Sequence, residues 1–212
     1  MSMGGRAGNL PAEMTSFVGR RHELAEARRM LSASRLVTLT GVGGVGKTRI
    51  ALRVAGRLHG GFPDGVWLVE LSALQDAGLL AHEVSEQLKL TDTSTRPHVE
   101  VLADHCADRR LLLVLDTCEH LVDECAELAG TLLRAASGLR ILATSRQPLN
   151  IPGERTLAIA PMRVPDPGPA AARCDAVTLF AERAAAVVPG FALTEGNGGV
   201  VAGLCRRLDG IP

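Results

Sequence analysis

Residues 41–48 read GVGGVGKT, which places Gly41, Gly46, Lys47 and Thr48 at the spacing G-x-x-x-x-G-K-T. Each residue type has a chemical reason to be there. Glycines accept positive φ, so successive backbone N–H groups can line one concave side with no Cβ in the way. The helix that follows adds its free N-terminal amides and the positive end of its dipole. Lys47 can place an ammonium on terminal phosphates, and Thr48 a hydroxyl on a magnesium ion, a hard cation that prefers oxygen. The expected ligand is a nucleoside polyphosphate with Mg²⁺. Its expected contacts are Gly41, Gly43, Gly44, Val45, Gly46, Lys47, Thr48 and, one step into the helix, Arg49.

Such a metal needs a carboxylate. Asp116 closes the apolar run LLLVLD, at the strand edge where parallel α/β sheets bind ligands. An aspartate ahead of a helix also suits an N-cap, so metal ligand and cap are both open to it. The next residue is Thr117 rather than an acid, and the nearest further carboxylate is Glu119. Glu119 is a candidate base to activate water or, three residues on from Asp116, the partner that completes a capping box. With no acid directly after Asp116, slow hydrolysis or none is expected. Arg146 ends the run ILATSR, where its planar guanidinium could reach a terminal phosphate.

The elements needed to hold these groups are legible. Leu36–Thr40, Val66–Leu71, Leu111–Leu115 and Leu139–Ala143 read as buried strands, with a weaker candidate at Thr156–Ala160. Between them, apolar positions recur at helical spacing from 20 to 32, 50 to 58, 78 to 90, 98 to 108 and 121 to 133. Alternating strand and helix predicts an α/β fold, a parallel sheet flanked by helices. A Pro-rich break at 161–169 precedes two Ala- and Gly-rich helices, 175–187 and 197–208, which read as the start of a small helical domain. The expected organisation is a linker at 1–19 that docks late at Phe17 and Val18, a nucleotide-binding domain at 20–165 and a helical domain at 170–212. The ending LCRRLDGIP reads as a cut through a longer polypeptide.

Composition narrows the function. Twenty-three basic and 23 acidic side chains cancel, which argues against direct nucleic-acid binding by this chain. No apolar run is long enough to span a bilayer, and the N-terminus has no signal-peptide core. Five cysteines with no C-x-x-C pair suit reduced thiols in a cytoplasm. Cys118, His120 and Cys125 match no common zinc spacing and read as packed thiols with a surface histidine. Arg20, Arg21, Arg28 and Arg29 are offset by Glu13, Glu23 and Glu26 and read as a solvated helix face.

Five segments, FVGR (17–20), GVGGVGKT, LLLVLDTCEH (111–120), ILATSR (141–146) and LDGIP (208–212), occur in an order that resembles the STAND-class P-loop NTPases. Within that class the chain looks similar to the NB-ARC-like ATPase module of bacterial AfsR/SARP-type and LuxR-type transcriptional regulators. The resemblance implies an ATP/ADP switch that rests with ADP and self-associates with ATP. It also implies that Val18, Gly19 and Arg20 line the adenine and ribose end, that Pro212 packs on the base, and that Arg146 senses the γ-phosphate. Members usually carry Asp-Asn or Asp-Asp where this chain has Asp116-Thr117. Sensor and output functions are implied to reside in further domains.

Overall fold

The computed structural model describes residues 7–91, 95–164 and 174–212. The expected TDTSTRP turn and the Pro-rich break run partly into 92–94 and 165–173, outside the described residues. By contact the chain divides into two units. One comprises Arg21–Gly41, Lys47–Ala158 and the described residues before Glu13. The other comprises Glu13–Arg20, Val42–Gly46 and the described part of Ile159–Pro212.

The first unit holds five parallel strands: β1 (Leu36–Thr40), β2 (Val66–Glu70), β3 (Leu112–Asp116), β4 (Arg140–Ser145) and β5 (Glu154–Ala158), in the order β2-β3-β4-β1-β5. Its helices are α1 (Arg21–Ala33), α2 (Lys47–Leu58), α3 (Leu80–Gln87), α4 (His98–Cys106) and α5 (Val122–Ala135). β3 is buried at every residue, which is why it reads as an unbroken apolar run and not as an alternation. Leu113, Leu115, Ile141 and Ala143 join one core cluster with residues of α3, α4 and α5. The intervening Leu112, Val114 and Leu142 are equally buried and, by the two-residue period of a strand, face the opposite layer. α1 and α2 pack on each other there, and α2 lies against β1, β3 and β4.

The weak strand is confirmed but starts two residues earlier, at Glu154, on the sheet edge, where Arg155, Thr156 and Ala158 are exposed. The N-terminal segment is held well before Phe17. Val66 N–H donates to Ala7 O (3.2 Å), Asn9 N–H donates to Val66 O (3.3 Å), and the Asn9 amide bonds both N and O of Leu68. These contacts cover the β2 edge, whose backbone groups would otherwise lack partners on that side. Trp67 is half-buried against the core rather than inside it, its indole N–H donating to Asp64 O.

The second unit is built on a helical pair, α6 (Asp175–Val187) and α7 (Glu195–Arg207). Met162, Ala176, Val177, Val201, Ala202 and Cys205 form its core, flanked by an edge-on Phe180–Phe191 pair. Thr194 and Asn197 form a reciprocal capping box that starts α7 at Glu195, two residues before the expected start. The helix ends through two left-handed residues, Asp209 (φ 52°) and Gly210 (φ 68°). Gly210 also meets the backbone of Met162, whose N–H donates to Gly210 O at 2.8 Å, and a Cβ at 210 would collide with Met162 O. Only glycine satisfies both demands.

The sheet interior makes a direct prediction. Leu113→Ala, in the fully buried strand β3, is expected to lower unfolding stability by about 2–5 kcal/mol in urea titration. A loss below about 1 kcal/mol would contradict a close-packed layer at that position.

Candidate functional site

In the first unit the strand order places the C-terminal ends of β1, β4 and β3 side by side. Thr40 is in register with Ser145 and Leu115 with Ala143. Gly41, Arg146 and Asp116 therefore leave one edge of the sheet. α2 begins there too, its apolar Ile50, Ala51, Val54 and Ala55 fixing it on the sheet so that Lys47 and Thr48 occupy its first turn.

Asp116 is only 6% exposed and is surrounded by hydroxyls. Thr48 Oγ1 donates to its Oδ2 at 3.0 Å, Thr117 Oγ1 to the same oxygen at 3.1 Å, and Thr144 Oγ1 to Oδ1 at 2.7 Å. A buried carboxylate must be hydrogen-bonded in this way. Neither the 3₁₀ turn Cys118–His120 nor α5 receives a side-chain cap, so Asp116 is no N-cap and Glu119 completes no capping box. Thr117 sits in the left-handed region (φ 68°, ψ 54°), a strained conformation for a β-branched residue. Its N–H is held there by Thr144 Oγ1 at 2.9 Å. Thr144 thus bridges Asp116 and Thr117. The sequence reading ends the strand at Ala143 and gives Thr144 no role, although a threonine directly after a buried apolar run is an available signal.

Lys47 is 7% exposed, and its ammonium donates to Gly41 O at 2.8 Å, closing the loop on itself. Glu119 Oε1 accepts from Arg146 Nε at 3.2 Å, while Glu119 Oε2 is buried with no hydrogen-bond partner among the described residues. Arg49 is exposed on the first turn of α2. Cys118 and Cys125 are buried together. Hydrogen bonding of the Cys118 thiol with Cys125, which favours the protonated form, and then burial hold Cys118 well above the usual cysteine range, away from the thiolate that metal ligation needs. His120 Nε2 lies 2.9 Å from Leu74 O.

Residues 42–46 group with the second unit, and so do Val18, Gly19, Arg20 and Pro212. Gly44 (φ 78°) and Gly46 (φ 99°) take the positive φ that the motif implied. A Cβ on Gly44 would press Ile211 Cγ2 at 3.2 Å, and one on Gly46 would reach Pro212 Cγ at 3.8 Å. The LDGIP ending therefore packs on the glycine loop itself. Gly19 and Arg20 are both left-handed (φ 67° and 58°). The Arg20 guanidinium donates to Val45 O at 3.1 Å and to Ala160 O at 2.6 Å. Because a trans peptide directs C=O and N–H to opposite sides, holding the Val45 carbonyl fixes the direction of the Gly46 N–H. Sequence alone could not disclose this, since the acceptor is backbone.

A groove of roughly 470 Å³ lined by Arg35, Leu133, Ile151 and Pro152 lies at the opposite ends of the strands. Its walls are mainly apolar, and the Arg35 guanidinium is engaged by the carbonyls of Leu133 and Ala136. The hydroxyl–carboxylate cluster and Lys47 are at the other edge of the sheet.

The pattern of the AAA domain family matches residues 28–149, more than half of the chain. The chain belongs to the AAA domain family. A protein of Mycobacterium tuberculosis assigned by name to the HTH-type transcriptional regulators is 42% identical to this AAA domain over 185 residues, 87% of the chain and 20% of that protein. The regulatory protein AfsR of Streptomyces coelicolor is 30% identical over 162 residues, 66% of the chain and 16% of AfsR. These matches bear out the similarity to AfsR-type regulators, and the chain spans only 16–20% of the length of those regulators. A STAND protein with a tetratricopeptide repeat sensor from Pyrococcus horikoshii superposes with a TM-score of 0.59 at 16% identity, covering 96% of this chain and 30% of its own. That likeness shows a shared fold. No helix among the described residues is long and apolar enough to cross a membrane.

Thr144 gives the site a test that needs no ligand. Thr144→Val keeps the shape but leaves Asp116 Oδ1 and Thr117 N–H each short of a partner, so unfolding stability should fall by about 1–3 kcal/mol. Thr156→Val on the exposed edge strand should shift it by no more than about 0.5 kcal/mol. Equal effects at the two positions would show that the bridge contributes nothing.

Proposed function

We propose that this AAA domain is the ATP/ADP-binding switch module of a multidomain signalling protein, of the transcription-regulator kind, with slow hydrolysis. The observation that carries the reading is the meeting of Thr48 and Asp116 at 3.0 Å beside a buried lysine and a glycine loop in positive φ. Two hard oxygen donors, one of them a carboxylate, fit a magnesium ion that keeps several waters and takes its other ligands from phosphate. Thr48 and Asp116 would hold that ion, which when bound would neutralise phosphate charge. The backbone amides of 43–48 and the Lys47 ammonium would bind the phosphate chain. Val18, Gly19, Arg20 and Pro212 would form the base and ribose end. Their grouping with loop 42–46 in one compact unit supports that assignment.

Arg146 is proposed to contact the terminal phosphate of a triphosphate, from a strand end level with Gly41. Turnover is expected to be slow because Thr117, the residue after Asp116, contributes a hydroxyl that donates to Asp116 rather than a base. Glu119 is the remaining candidate base. Its bond to Arg146 favours a second reading, a non-hydrolysing module in which ADP is a structural ligand. The names of the regulator relatives and their greater length support attached output domains. Self-association in the triphosphate state is part of the same proposal.

Calorimetry with Mg·ADP and Mg·ATP tests the reading. Lys47→Ala removes one charge-assisted contact and is expected to weaken both nucleotides by about 10- to 100-fold. Wild-type affinity in that variant would contradict the proposed cradle. Mass spectrometry of nucleotide released on denaturation, together with steady-state turnover, separates the two readings: slow turnover supports the switch, and none supports the structural ligand.

A further inference from the structure

Arg146 and Glu119 occupy two neighbouring strand ends. Arg146 follows Ser145, which is in register with Thr40, so it emerges from β4 level with the first residue of the glycine loop. Glu119 lies in the 3₁₀ turn that follows β3, on the other side of β4. Their bond is 3.2 Å, and the partners differ in freedom: Arg146 is 68% exposed and Glu119 only 20%. Glu119 Oε2 is enclosed, and the turn is anchored by the network around Thr117. The carboxylate is therefore the fixed partner and the guanidinium the one that can change places.

One guanidinium next to two anionic positions cannot serve both fully. We propose that Glu119 is a specificity-determining residue that competes with the terminal phosphate of a triphosphate for Arg146, and so lowers triphosphate affinity relative to diphosphate. This rests on the nucleotide-switch reading above and adds to it the group that sets the switch's bias. A diphosphate ends one phosphate short and leaves the Arg146–Glu119 bond intact. A triphosphate gains the arginine only by breaking that bond. Whatever weakens the pair raises triphosphate affinity, by at most the factor by which the pair is weakened.

The experiment is a double-mutant cycle on the whole chain: calorimetric Kd values for Mg·ADP and for the Mg complex of the β,γ-imido analogue of ATP. The proteins are wild type, Glu119→Gln, Arg146→Ala and the double variant, with thermal melts to establish folding. Glu119→Gln is expected to improve the analogue relative to ADP by about two- to fivefold, the range of a largely exposed ion pair. In the Arg146→Ala background the same substitution should leave the ratio where it was. Should Glu119→Gln fold poorly, Glu119→Ala carries the same expectation. An unchanged ratio in the single variant overturns the proposal. So does an equal improvement with Arg146 absent, which would reflect loss of a nearby charge and no competition. Wild-type protein that binds neither nucleotide defeats the nucleotide reading and this proposal together, whereas binding of both with an unmoved ratio defeats this proposal alone.

Discussion

The hydrogen bonds that converge on Asp116 set the terms for the rest of the site. A carboxylate almost excluded from water has to be surrounded by donors, and here threonine hydroxyls from three places in the chain donate to it: Thr48, Thr117 and Thr144. Meeting that demand ties the start of α2 to the end of β3, and ties β4 to the same strand end. It also holds Thr117 in a conformation that its own branched side chain disfavours. The same arrangement brings a hydroxyl, a carboxylate and an ammonium to the start of one helix. The proposed polyphosphate site thus rests on how one buried carboxylate is accommodated.

The loop that would receive the phosphates is constrained from its other side. Arg20 holds the Val45 carbonyl, and Ile211 and Pro212 stand against Gly44 and Gly46. Residues distant in the chain therefore share one task, to keep the loop's amides aimed. A loop of this kind cannot be assessed by its glycines alone, because their freedom is useful only when something removes it.

Much of the fold could be read from the chain because buried parallel strands are continuous apolar runs, and four of the five strands had that signature. β5 lacked it: an edge strand with three exposed residues has no core to declare, and its position was misread by two residues. The start of α7 was misplaced because the Thr194–Asn197 capping box was passed over for the apolar periodicity that follows it. At the site, the glycine motif, Lys47, Thr48, Asp116 and Arg146 were visible as residue types at meaningful spacing. Thr144 was not credited, since its role depends on which strand lies beside β3. The grip of Arg20 on Val45, and of Gly210 on Met162, ends on backbone atoms and has no side-chain pattern to read. The Glu119–Arg146 bond needed three-dimensional adjacency between two loops.

Amide hydrogen exchange tests the central claim most directly, because the claim concerns the main chain of residues 43–48. On addition of Mg·ADP those amides should become strongly protected, with the strands behind them little changed. Heat of binding accompanied by unaltered exchange across 43–48 would place the ligand elsewhere and contradict the account.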